Sequence, residues 1–99
     1  MPFKEITVAE VKTLMETKEI TMIDIRDPNS YTAGHIENAL HVDDSNVEQF
    51  VREADFEVPL VVYCYHGNNS QGAAGYMSEQ GFEEAYSLRG GFAAWSNSI

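Results

Sequence analysis

Leu60-Val61-Val62-Tyr63-Cys64-Tyr65-His66-Gly67-Asn68-Asn69-Ser70-Gln71-Gly72-Ala73-Ala74 is the stretch that decides the fold. An apolar run of strand length, Leu60 to Tyr63, stops at the only cysteine of the chain. A short polar loop follows, and then residues that suit a helix start. A strand ending at a thiol, a tight loop and a helix N-terminus is an arrangement that lowers a thiol pKa. The loop amides and the unpaired helix donors all face a negative charge. The pattern predicts a strand over Leu60–Tyr63 and a helix from about Ser70 to Gln80, closed by Gly81.

Working outward, Ala85-Tyr86-Ser87-Leu88 reads as a last short strand, and Arg89-Gly90-Gly91 turns into a short helix with Phe92 and Trp95. Upstream, Thr7-Val8-Ala9-Glu10 fits a capping box, with Val8, Val11, Leu14 and Met15 at helical spacing. Ile20 to Ile25 alternates and is rich in β-branched residues, so a strand is expected there. Asp27-Pro28-Asn29-Ser30 breaks it and begins a helical turn around Tyr31 to Gly34. Ala39-Leu40-His41-Val42 is a weaker strand candidate, and Asp44-Ser45 can cap a helix over Val47, Phe50 and Val51. Strands alternating with helices make an α/β sandwich with a mainly parallel sheet. In such sheets ligands bind beyond the carboxyl ends of the strands, where Cys64 stands.

The 99 residues are read as one domain, 1–99, with no repeat or linker. No apolar run approaches the roughly 20 residues of a membrane span. Met1-Pro2-Phe3-Lys4-Glu5 lacks the basic start and apolar stretch of a signal peptide. A lone cysteine forms no internal disulfide, so a reducing, cytoplasmic setting is expected. A cysteine-based metal cluster is excluded, and His35, His41 and His66 share no ligand spacing, so no metal is expected. A net charge of −10 argues against nucleic acid and anionic membranes as partners. It also sets the field against a small anionic substrate. No basic side chain lies between Arg52 and Arg89.

Each candidate has a plainer reading. A cysteine after an apolar run is commonly an inert core thiol. Gly67, Asn68 and Asn69 tolerate positive φ and let the loop curl its amides inward, while Gly72, Ala73 and Ala74 keep the helix start slim. These choices favour a reactive thiol. Lowering its pKa from about 8.5 to about 7 requires roughly 2 kcal/mol, within reach of a helix N-terminus with aimed amides. His66, one residue beyond Tyr65, is a weak candidate for a general base; contact with a bound anion or simple exposure suits it better. Tyr65 is expected as a pocket wall. Asp24 and Arg26 read as an ion pair holding a strand exit. His35 is expected to bond a backbone carbonyl, and Glu53 to Glu57 to form a solvated face.

Together these motifs resemble the rhodanese homology domain family. Asp24-Ile25-Arg26-Asp27-Pro28 with Gly34-His35-Ile36 and Ala39 is similar to its early signature. Gly81-Phe82 with Leu88-Arg89-Gly90-Gly91-Phe92 and Trp95 is similar to its C-terminal signature. Cys64 to Asn68 is similar to the active-site loop of its single-domain bacterial thiosulfate sulfurtransferases. The resemblance implies a rhodanese-like three-layer sandwich, a mainly parallel central sheet flanked by helices. It also implies that Cys64 is the catalytic nucleophile and takes the outer sulfur of thiosulfate as a persulfide. The sulfur then passes to cyanide or to a dithiol protein such as thioredoxin, in a ping-pong cycle without metal or organic cofactor. The backbone amides of Tyr65, His66, Gly67, Asn68, Asn69 and Ser70 are the implied cradle for the anion. One position departs from the family, which tends to carry a lysine near position 71, where this chain has Gln71. His66 is then the only cation expected in the loop, and weak thiosulfate affinity, or another sulfane donor, follows.

Two rivals stand beside this reading. Cys-based phosphatases and arsenate reductases need an arginine six positions after the nucleophile, where this chain has Ser70. A rhodanese-like module used for sulfur carriage or docking has no need of the complete loop kept here.

Overall fold

The computed structural model describes residues 3–98. In chain order the elements are β1 (Lys4–Ile6), α1 (Val8–Thr17), β2 (Thr21–Asp24), α2 (Pro28–Ala33), β3 (Leu40–His41), α3 (Val47–Glu53), β4 (Leu60–Tyr63), α4 (Asn69–Gln80), β5 (Ala85–Leu88) and α5 (Gly91–Asn97). Among the described residues the five strands form one sheet in the order β1-β5-β4-β2-β3. Every pairing is parallel, so the sheet expected to be mainly parallel is parallel throughout.

The central strand β4 explains why its sequence is an unbroken apolar run. All four of its residues are buried, and successive side chains enter opposite cores. Val61 and Tyr63 join Val11, Met22 and Leu88, against which Leu14 of α1 and Trp95 of α5 pack. Leu60 and Val62 join Ala74, Met77 and Phe82, backed by Phe50 of α3. Helices therefore cover both faces, giving the three layers expected. Parallel strands all deliver their carboxyl ends to one edge, and there Asp24 ends β2 while Cys64 and Arg89 follow β4 and β5.

The ends of the elements show which local signals won. Thr7 caps α1 through the predicted box: its hydroxyl accepts from the Glu10 amide at 3.1 Å, and its own amide donates to Glu10 Oε1 at 2.9 Å. The Asp27 carboxylate accepts from the Ser30 amide, and Pro28 sits in the first turn, so α2 begins earlier than the expected turn around Tyr31. The expected Asp44-Ser45 cap is replaced by a turn built on Asp43, whose carboxylate binds the amide and hydroxyl of Ser45, and α3 starts only at Val47. Helix α4 begins at Asn69, one residue before the expected start, and ends at Gly81 with φ 127°. Strand β1 was not expected at all. The reading of Met1-Pro2 as no part of a leader, and of Ile99 as the last residue of the domain, falls outside the described residues.

Candidate functional site

Cys64 follows β4 at the carboxyl edge of the sheet and is 6% exposed. Its Sγ accepts the Gly67 amide at 3.1 Å and the Ser70 amide at 3.4 Å, and lies 3.5 Å from Ser70 Oγ. The side chain of Asn68, at the N-cap of α4, makes no capping bond. Ser70 is the second residue of that helix, the position whose amide a capping side chain ordinarily satisfies. The sulfur occupies that acceptor's place, at the positive end of a 12-residue helix. Burial alone would push the Cys64 thiol up. The Ser70 hydroxyl, then the amides of Ser70, Gly67 and Asn69, outweigh burial and hold its pKa below the ordinary value.

The loop curls because it is held from outside as well as within. Gly67 has φ 95°, and a Cβ there would stand 2.9 Å from the Gly90 nitrogen. The next constraint comes from α5: the Phe92 amide donates to the Cys64 carbonyl at 2.9 Å and the Ala93 amide to the Tyr65 carbonyl at 3.0 Å. With these carbonyls drawn outward, the amides that follow are free to turn toward the sulfur. Gly91, with φ 60°, allows the approach, since a Cβ on it would lie 2.5 Å from the Cys64 carbonyl oxygen. Arg26 steadies the same corner. Its guanidinium carbon is 4.1 Å from the Phe92 ring centroid, and its Nη2 pairs with Asp24 at 2.7 Å and donates to the Gly34 carbonyl. The Asp24–Arg26 pair is thus the strand-exit ion pair expected, and His35 Nδ1 lies 2.8 Å from the Tyr31 carbonyl oxygen, as expected for a backbone contact.

The loop residues divide into two groups. Gly67 and Ser70 are buried and face the sulfur, and the Asn69 amide lies close enough to favour the thiolate. Tyr65 is 51% exposed and packs its ring against His66, which is exposed too. Among the described residues neither His66 nor Asn68 hydrogen-bonds Sγ. Gln71 does not face open solvent as a vacant anion site; its Nε2 donates to the Gly67 carbonyl at 3.1 Å and to Glu5 Oε2 at 3.4 Å. Arg89 Nη2 donates to the other oxygen of Glu5 at 2.9 Å, so a cation stands beside the loop that the sequence spacing did not reveal. The slimness expected of Gly72 has no steric cause, since a Cβ there would meet nothing within 4 Å. Among the described residues no three His, Cys, Asp or Glu side chains converge on a metal position.

The comparisons with known proteins agree with this geometry. The family model described as Rhodanese-like domain matches residues 7–98. The thiosulfate sulfurtransferase GlpE of Pseudoalteromonas translucida is 47% identical over 95 residues, covering 96% of this chain and 90% of that protein. The protein of the same name from Shewanella oneidensis is 47% identical over 94% of this chain and 92% of its own length. In fold, the crystal structure of a rhodanese-related protein from Thermoplasma volcanium superposes with a TM-score of 0.82 at 23% identity, covering 97% of this chain and 93% of that one. With a parallel five-stranded sheet, a thiol at the end of its central strand and a family match over nearly its full length, the chain belongs to the rhodanese-like domain family.

Proposed function

We propose that this protein is a thiosulfate sulfurtransferase working through Cys64, with residues 1–99 acting as one domain. The observation that carries the reading is the ring of donors on Sγ from Gly67 and Ser70, which suits a sulfur anion and uses no charged side chain. The relatives at 47% identity are named for this activity. The thiolate attacks the outer sulfur of thiosulfate. A sulfur–sulfur bond forms to Cys64, the bond to the sulfonate sulfur breaks, and sulfite leaves with its electron pair. The enzyme then holds a persulfide anion, for which the amides of the loop Tyr65, His66, Gly67, Asn68, Asn69 and Ser70 form the cradle.

In the second half of the cycle cyanide attacks the terminal sulfur, leaving as thiocyanate and returning the thiolate. A dithiol protein does the same with one thiolate, and its second thiol then releases the sulfur as hydrosulfide while a disulfide forms. No metal or organic cofactor enters either half. A free thiol as nucleophile suits the reducing cytoplasm, and the acidic surface leaves nucleic acid and anionic membranes outside the proposed partners. Among the described residues no helix is long and apolar enough to cross a membrane.

Intact-mass measurement tests the reading. Incubation with thiosulfate is expected to add the mass of one sulfur to the protein and none to Cys64→Ser, with sulfite released in equal amount. Hydrolysis of an aryl phosphate by the same preparation, without sulfur uptake from any sulfane donor, would overturn it.

A further inference from the structure

Ser87 is a polar residue in an apolar place. It lies on β5 and is fully buried on the sheet face that carries Val62 and Ala85 and packs against Ala74 and Met77 of α4. A buried hydroxyl without a partner costs about 1–3 kcal/mol, so its partner is informative. Among the described residues its hydroxyl has one, Ser70 Oγ at 2.7 Å, and Ser70 is fully buried too. Ser70 Oγ in turn lies 3.5 Å from Cys64 Sγ. Three polar atoms therefore form a file from the strand to the nucleophile.

The direction of that file follows from counting protons. A thiolate only accepts, so the single proton of the Ser70 hydroxyl must point at Sγ. Ser70 Oγ is then left as an acceptor, and the Ser87 hydroxyl must donate to it. When the sulfur carries its own proton, the thiol donates to Ser70 Oγ and the Ser70 proton is free to swing back toward Ser87.

We infer that Ser87 is a positioning residue for Cys64, donating to Ser70 so that the Ser70 proton stays on the sulfur anion. The donation polarises the Ser70 hydroxyl and strengthens its bond to the thiolate and to the persulfide that replaces it. Ser87 touches neither substrate nor sulfur; it acts only through Ser70. The inference rests on the proposed reading of Cys64 as an anionic nucleophile.

The test is the pH profile of Cys64 alkylation by iodoacetamide, which reads the thiolate without any sulfur donor. Ser87→Ala is expected to move the profile to higher pH and slow alkylation at neutral pH by about threefold. Ser87→Thr, which keeps the donor, is expected to retain the parent profile. In a Ser70→Ala background the Ser87→Ala change is expected to have no further effect. A Ser87→Ala profile that superimposes on the parent's overturns the inference, as does an equal shift in the Ser70→Ala background. Should Ser87→Ala fail to melt cooperatively, Ser87→Thr decides: a displaced profile in a folded variant that keeps the hydroxyl counts against the file. Sulfur uptake by the parent, measured by mass, separates the two ideas. Uptake with an unmoved Ser87→Ala profile defeats only the role of Ser87, and a moved profile without uptake defeats only the proposed function.

Discussion

At Cys64, a buried sulfur is kept acidic by hydrogen bonds rather than by a neighbouring cation. Burial works against the thiolate, and the Ser70 hydroxyl with the amides of Ser70, Gly67 and Asn69 reverses the balance. An acidic group whose pKa is lower folded than unfolded stabilises the fold fully above its unfolded pKa. That contribution is lost as pH falls through the folded pKa. The Cys64 pKa is lower folded than unfolded, so the parent should gain stability relative to Cys64→Ser as pH rises from below the depressed pKa, and the difference should level off above the ordinary thiol value of about 8.5. Denaturant unfolding of both proteins under reducing, anaerobic conditions at several pH values measures this. A difference that stays flat across the range, or narrows with rising pH, would show that the loop does not favour the anion.

Among the elements, α5 has a role that its sequence did not announce. Its first amides hold the carbonyls of Cys64 and Tyr65, so the terminal helix shapes the loop. Gly91→Ala should therefore strike the site from 27 positions away in sequence. An alanine at φ 60° costs about 1–2 kcal/mol in backbone conformation, and a Cβ forced against the Cys64 and Tyr65 carbonyls adds about 1–3 kcal/mol. The expected result is a stability loss of about 2–5 kcal/mol by denaturant unfolding. Any folded remainder should alkylate Cys64 more slowly; parent-like stability and alkylation would mean that α5 does not shape the loop. The strand, loop and helix around Cys64 were legible because each leaves a local signal: an apolar run, residues tolerant of positive φ, then small helix formers. Strand β1 was not, since it has three residues and only Ile6 is buried, too short a pattern to show alternation. The Gly91 contact and the pairing of Ser87 with Ser70 are products of topology. A serine in a strand reads as solvent-facing until the sheet is built, and the double glycine reads as an ordinary turn. Gly72 shows the converse, a plausible local reason for which the structure has no use.

For the molecule as a whole, the open question is how a chain of net charge −10 loads itself from a dianion. The neutral Gln71 made weak thiosulfate affinity an expectation from sequence, and the structure adds Glu5 to the account. One carboxylate, carried on edge strand β1, holds both the Gln71 amide and the Arg89 guanidinium beside the loop. A lysine introduced at position 71 would meet Glu5 and be partly neutralised by it, while Arg89 is already so engaged. Gln71→Lys alone should thus lower the KM for thiosulfate only modestly. Glu5→Gln should help by releasing Arg89, and the double variant should lower KM by roughly tenfold, about 1.4 kcal/mol, since two cations then face the dianion unopposed. Salt gives an independent reading. The Debye length is about 10 Å at 0.1 M, so added salt should weaken the repulsion from the acidic surface and lower the parent's KM. In the double variant the same salt screens a local attraction as well, and the dependence should flatten or reverse. If Gln71→Lys alone matches the double variant and both respond to salt alike, Glu5 does not restrain the cations beside the loop, and the side chain at position 71 alone sets the KM for thiosulfate.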